Sequence, residues 1–148
     1  MRDGFVKVAA ATLNTKVADV EHNKREIFRL IDETIENGAK IVVFPELCIT
    51  GYTCGDLFSQ DILLSQSAKA LEEIAAYTTG KDGLFFVGLP YVVCNKLYNV
   101  AAAVCDGEVI GMVTKTFLPN YSEFYEMRQF QPGPKKADWI PYGEEEIP

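Results

Sequence analysis

Glu46 and Cys48 stand two places apart in "IVVFPELCITGY" (residues 41–52), directly after five residues, Ile41 to Pro45, that carry neither charge nor a hydrogen-bonding side chain. A carboxylate at the mouth of such a run suits general base work, and a thiol beside it could be the nucleophile that the base activates. The plainer reading of Glu46 is a strand-end residue in water. Lys115 is placed in parallel fashion after "VIGMV". An ammonium there can stabilise an oxyanion or face a neighbouring carboxylate, unless it is a solvated lysine whose stem lies on the sheet. A third stretch, "LPNYSEFYEMRQFQPG" (residues 118–133), sets Glu123 and Glu126 among Tyr121, Phe124, Tyr125 and Phe130. Aromatic packing can hold one of these carboxylates near Lys115; read alone, the stretch is equally a surface turn with one amphipathic helical turn.

Other chemistries find less support. The single histidine, His22, lies among polar residues, whereas a Ser-His-Asp triad needs its imidazole buried and oriented. The four cysteines, Cys48, Cys54, Cys94 and Cys105, show no CxxC spacing and are expected to be thiols rather than a zinc site or disulfides. For Cys48 to attack a substrate it would need an accessible, electropositive setting, and Pro45 disfavours the extended geometry that would align it with Glu46. Cys54 reads as a loop thiol, and Cys94 and Cys105 as small hydrophobes in strands.

The elements that must carry these residues follow from pattern. "FVKVAAATL" alternates as a strand, Asp19 is placed to cap a helix from Val20 to Asn37, and Asn37-Gly38 stops it. "AKIVVF" is a β-branched run expected to form a strand buried on both faces, completing a βαβ unit that Pro45 ends. The residues after Pro45 then fall at the C-terminal edge of a sheet, where open α/β sheets hold their ligands. A second helix is expected from Asp61 to Tyr77, followed by "LFFVGLPYVV" as a buried strand with a proline-marked end. "LYNVAAAVCDGEVIGMVTKTFL" reads as a hairpin turning at Asp106-Gly107. From Pro119 to Pro148, five prolines, two glycines and the run Glu144-Glu145-Glu146 give no clear period, so a long ordered loop and then a solvated acidic one are expected.

A chain of 148 residues with 48% hydrophobic residues fits one globular domain of the α/β class. With 14 basic against 21 acidic residues its net charge is −7, which repels phosphate backbones and anionic membranes, so no nucleic-acid or membrane partner is expected. No apolar run approaches membrane-spanning length and "MRDGFVKVAA" lacks the features of a signal peptide, so a cytoplasmic location is expected. The chain stops at Pro148 without a closing element, as a fragment would.

Together, "FPELCITGY", the lysine of "GMVTKTFLPNY" and "FYEMRQFQPG" resemble the nitrilase or carbon-nitrogen hydrolase superfamily, whose members use a Glu-Lys-Cys triad. The details, "ITGYTCGDL" and "KTFLPNYSEFYEMRQFQPG", are most similar to the N-terminal glutaminase domain of glutamine-dependent NAD synthetases. The resemblance implies a four-layer αββα sandwich of which residues 1–148 supply the N-terminal half or so. By position it implies Glu46 as general base, Lys115 as oxyanion stabiliser and Glu126, rather than Glu123, as a supporting carboxylate. Tyr52 and Tyr121 would shape the glutamine pocket. The departure is the nucleophile, which the family carries after a further strand beyond the Pro-Gly segment, where this chain has no cysteine.

The function so implied is hydrolysis of the glutamine side-chain amide, supplying ammonia to a separate synthetase domain that amidates deamido-NAD with ATP and magnesium. These 148 residues alone would need no cofactor and would be inactive. Glutamine, the remainder of the same chain and further copies in a homo-oligomer are the implied partners. Two alternatives stay open: a stand-alone amidase of the ω-amidase or N-carbamoyl hydrolase type, and a non-catalytic binding or oligomerisation module on the same scaffold.

Overall fold

The computed structural model describes residues 4–148. Helix α1 (Val20–Glu36) begins where Asp19 Oδ1 accepts the His22 N–H at 3.0 Å, and ends with Asn37 in the cap position and Gly38 at φ +81°. Its buried stripe is Val20, Ile27, Leu30 and Ile31, joined by two polar residues, Asn23 and Lys24. Asn23 is fully buried and fully used: its amide donates to the carbonyls of Lys16 and Ile49, and its oxygen accepts the Lys16 N–H. Lys24 pairs with Glu21 and with Glu73 of α2 (Asp61–Tyr77), so part of the charged face of α1 is turned to the second helix rather than to water. Phe28 stacking on Tyr77 at 4.0 Å and the Tyr77 hydroxyl donating to Asp32 close the same helix pair.

Five strands form one sheet in sequence order: β1 (Val8–Ala10), β2 (Ile41–Val43), β3 (Leu84–Val93), β4 (Lys96–Cys105) and β5 (Glu108–Thr114). The first three are parallel and the last three antiparallel, with the β4–β5 turn at Asp106-Gly107 as the sequence indicates. Alternate residues on one face, Val42, Phe85, Val87, Leu89, Val100, Ala102 and Val104, are buried in a common core with both helices. Among the described residues the opposite face is exposed over much of its area, with Val8 65%, Val43 48% and Val113 67% exposed, whereas Gly88, Pro90 and Asn99 on it are buried. The α/β class holds.

Four expectations are corrected. The strand at "AKIVVF" is buried on one face only, because among the described residues the Val43 side stays 48% exposed. Within "FVKVAAATL", the strand is confined to Val8–Ala10; Phe5 makes an isolated bridge and is 81% exposed. Pro90 does not end β3 but lies inside it, opposite Asn99. On the β2 side, Phe86 and Gly88 accept N–H groups from Phe44 and Ile49; Pro90 continues this alternate set past the point where β2 has ended, so its missing N–H costs no ladder bond. The last third is not all loop: β6 (Ile140–Tyr142) and β7 (Glu145–Ile147) form a hairpin about Gly143, and the following Pro148 carbonyl accepts the Met112 N–H of β5 at 2.8 Å. The acidic run therefore enters a strand whose Glu145 and Glu146 side chains point to water while Ile147 is buried. Among the described residues no helix is long and apolar enough to cross a membrane.

Candidate functional site

Past β2 the chain leaves the ladder in a tight turn. Leu47 adopts φ +51° and its carbonyl accepts the N–H groups of Thr50 and Gly51. The turn lies directly on β3 at Gly88, where an added Cβ would stand 2.5 Å from the Leu47 nitrogen and 2.6 Å from the Pro45 oxygen. Only glycine permits that approach. This seats Glu46 at the C-terminal edge of β2, its side chain 40% exposed.

Lys115 follows β5. Its N–H donates to the Asn99 carbonyl at 2.8 Å and its carbonyl accepts the Gly133 N–H at 3.0 Å, so it is held between β4 and the Pro-Gly segment. Gly133 too is required: a Cβ there would fall 2.3 Å from the Thr114 hydroxyl. The short helix α3 (Glu126–Gln129) turns Glu126 inward, its side chain 5% exposed.

These three residues meet. Lys115 Nζ donates to Glu46 Oε1 at 2.7 Å and to Glu126 Oε1 at 2.8 Å. The Tyr52 hydroxyl donates to the same Glu126 oxygen at 2.7 Å, and Asn99 Nδ2 donates to Glu46 Oε1. Burial works downward on the Lys115 ammonium, but its hydrogen bonds to Glu126 and Glu46 outweigh it and raise its pKa above the ordinary lysine value. Burial, then the Glu126 carboxylate, raises Tyr52 well above the usual phenol range, so it stays a donor. Glu126 Oε2 is buried without a hydrogen-bond partner among the described residues. Beside these groups lies a cleft of about 220 Å³ lined by Leu47, Tyr52, Phe58, Glu123, Phe124 and Glu126, among others.

Tyr121 stands differently: it is 67% exposed and packs edge-on against Phe124 at 5.7 Å, which in turn meets Tyr52. Cys48 is turned away from the site into the core, its Sγ donating to the Gly88 carbonyl at 3.5 Å, and burial pushes its thiol up to about 12. Cys54 is also buried, against the Thr50 carbonyl. Cys94 is not in a strand but in the β3–β4 turn at φ +49°, exposed. An arrangement of one base, one ammonium and a supporting carboxylate can accept a proton and stabilise an oxyanion, but the chain places no accessible thiol beside it.

The carbon-nitrogen hydrolase profile matches residues 7–143. The chain belongs to the carbon-nitrogen hydrolase family. Within the family it is similar to the glutamine-dependent NAD(+) synthetase of Aquifex aeolicus, 43% identical over 129 residues, which is 87% of this chain and 22% of that protein. The enzyme of the same name from Mycobacterium tuberculosis is 36% identical over 140 residues, 95% of this chain and 21% of that protein. The crystal structure of the Cytophaga hutchinsonii glutamine-dependent NAD(+) synthetase superposes with a TM-score of 0.90 at 33% identity, covering 96% of this chain and 24% of that one. An amidase from Nesterenkonia sp., at TM-score 0.76 and 21% identity over 99% of this chain and 55% of its own, shares the fold. The chain thus spans about a fifth of the length of the curated relatives it matches.

Among the polar residues of this cluster, sequence reasoning passed over Asn99. Its signal was present: in "LYNVAAAVC" it is the one amide and directly precedes the apolar run Val100 to Val104, and asparagine is poorly suited to strands.

Proposed function

We propose that this chain supplies the base and the oxyanion-stabilising half of a glutamine amidohydrolase site. Glu46 is the general base, Lys115 stabilises the oxyanion, Glu126 holds Lys115, and Tyr52 and Tyr121 lie on the side where glutamine enters. A cysteine thiol attacks the side-chain amide carbonyl as Glu46 takes its proton; the proton passes to the leaving ammonia, and water then hydrolyses the thioester with Glu46 again as base. The observation that carries this reading is the bridge of Lys115 Nζ between Glu46 and Glu126, drawn from three separate segments of the chain.

The nucleophile comes from outside these residues. Cys48 and Cys54 are buried, and alternation along β4 and β5 puts Asn99 and Lys115 on the same partly exposed sheet face as Ala101 and Val113. The apolar Val8, Val43 and Val113 surface is thus continuous with the site, and the further part of the parent chain that covers it brings the cysteine. Residues 1–148 are the N-terminal part of a glutaminase domain, and the parent is a glutamine-dependent NAD synthetase whose ammonia serves an ATP- and magnesium-dependent amidation elsewhere in the protein. Among the described residues no group of three or more His, Cys, Asp or Glu side chains converges as a metal centre would. Glutamine-dependent ammonia release by the full-length protein tests the reading: Glu46→Gln and Lys115→Met should each abolish it, and retention in either overturns the assignment.

A further inference from the structure

We infer that Asn99 is the positioning residue of this site, fixing Glu46 by one carboxylate oxygen so that the other, Oε2, is the atom that takes the proton. The inference rests on the reading of Glu46 as the base. Asn99 sits on β4 at 3% exposure, with its Nδ2 donating to Glu46 Oε1. Lys115 Nζ donates to the same oxygen at 2.7 Å. Both donors therefore saturate Oε1, and among the described residues neither these nor any other hydrogen bond engages Oε2.

Asn99 also reaches the lysine, through its backbone: its carbonyl accepts the Lys115 N–H at 2.8 Å. One residue thus sets the base by its side chain and the cation by its main chain. Glu46 needs such a fixture more than Lys115 does. It begins a turn outside the ladder and its side chain is 40% exposed, with three freely rotating bonds; Lys115 is clamped on both sides by Asn99 and Gly133. A buried amide in an apolar strand is costly unless its donors are used, and Glu46 is the acceptor that uses this one.

The test is steady-state glutaminase kinetics on the full-length protein, with Asn99→Ala, Asn99→Asp and Glu46→Gln in parallel and near-ultraviolet circular dichroism confirming the fold of each. Asn99→Ala should lower kcat about 10- to 100-fold, the scale of a misplaced catalytic group, while KM for glutamine changes less than about twofold. Asn99→Asp has the same shape, so it keeps the packing if the alanine variant does not fold. It sets a like charge against Glu46 and should move the acid limb of the kcat/KM profile to higher pH. Asn99→Ala, which adds no charge, separates the two roles, because with the fold confirmed a purely structural asparagine would leave kcat in place. Loss of activity in Glu46→Gln beside an unchanged kcat and an unmoved acid limb in the Asn99 variants overturns this inference alone; full activity in Glu46→Gln overturns the base assignment and this inference with it.

Discussion

Lys115 Nζ lies 2.7 Å from Glu46 Oε1 across 69 positions of sequence, and 2.8 Å from Glu126 Oε1 only 11 positions away. The long contact depends on the turn after β2 crossing β3 at Gly88 toward the ends of β4 and β5, the short one on a single helical turn. One ammonium therefore reports whether the whole framework from β2 to α3 is in place.

Lys115→Met is expected to destabilise the fold by about 1–3 kcal/mol, because the buried Glu126 carboxyl would be left with the Tyr52 hydroxyl as its remaining donor among the described residues. Urea unfolding measures this. Adding Glu126→Gln to Lys115→Met should recover part of the loss, and strictly additive effects would show that the two residues do not interact.

The same pair sets an alkaline limit. The folded-state pKa of Lys115 is raised above the ordinary lysine value of 10.5, so its contribution to stability is complete below that value and is lost as pH rises through the higher folded pKa. Stability measured across this window should fall less steeply in Lys115→Met than in the wild type.

Gly88→Ala tests the support of Glu46 from beneath. A Cβ at that position meets the backbone of Pro45 and Leu47 well inside contact distance, so the turn must move. The expected cost is about 1–3 kcal/mol in thermal or urea unfolding, accompanied in the full-length protein by loss of glutaminase activity greater than any loss of glutamine binding.

Cysteine labelling distinguishes the thiols. With iodoacetamide on the folded chain, Cys94 should react first, because it is exposed in a turn. Cys48, buried and with its thiol pushed up to about 12, should react only on unfolding. Mass spectrometry of peptides taken before and after denaturation reads this directly; rapid native labelling of Cys48 would mean that the turn after Pro45 opens.

Much of the fold was legible because its signals are local. Asp19, Gly38 and Asp106-Gly107 mark their boundaries by local chemistry alone, and the structure places them as read. What escaped depends on neighbours far along the chain. "AKIVVF" shows that Val43 is apolar but not whether anything covers it, and Pro90 is tolerated in a strand only because β2 stops short of it. Ile140 to Ile147 lacks a clean alternation because prolines and the acidic run interrupt it, yet one positive-φ glycine suffices to fold it back on itself. The site divides in the same way. Glu46, Lys115 and Glu126 carry charges in conspicuous settings, whereas the contact of Asn99 with Glu46 arises only once β4 lies beside the turn after β2.

The central claim is that residues 1–148 hold the base and the cation of a glutamine-hydrolysing site without its nucleophile. Ammonia release from glutamine by the isolated chain, at near-neutral pH and high protein concentration, tests it most directly. The account predicts no release above the uncatalysed background. Sustained turnover that Cys48→Ser abolishes would contradict it.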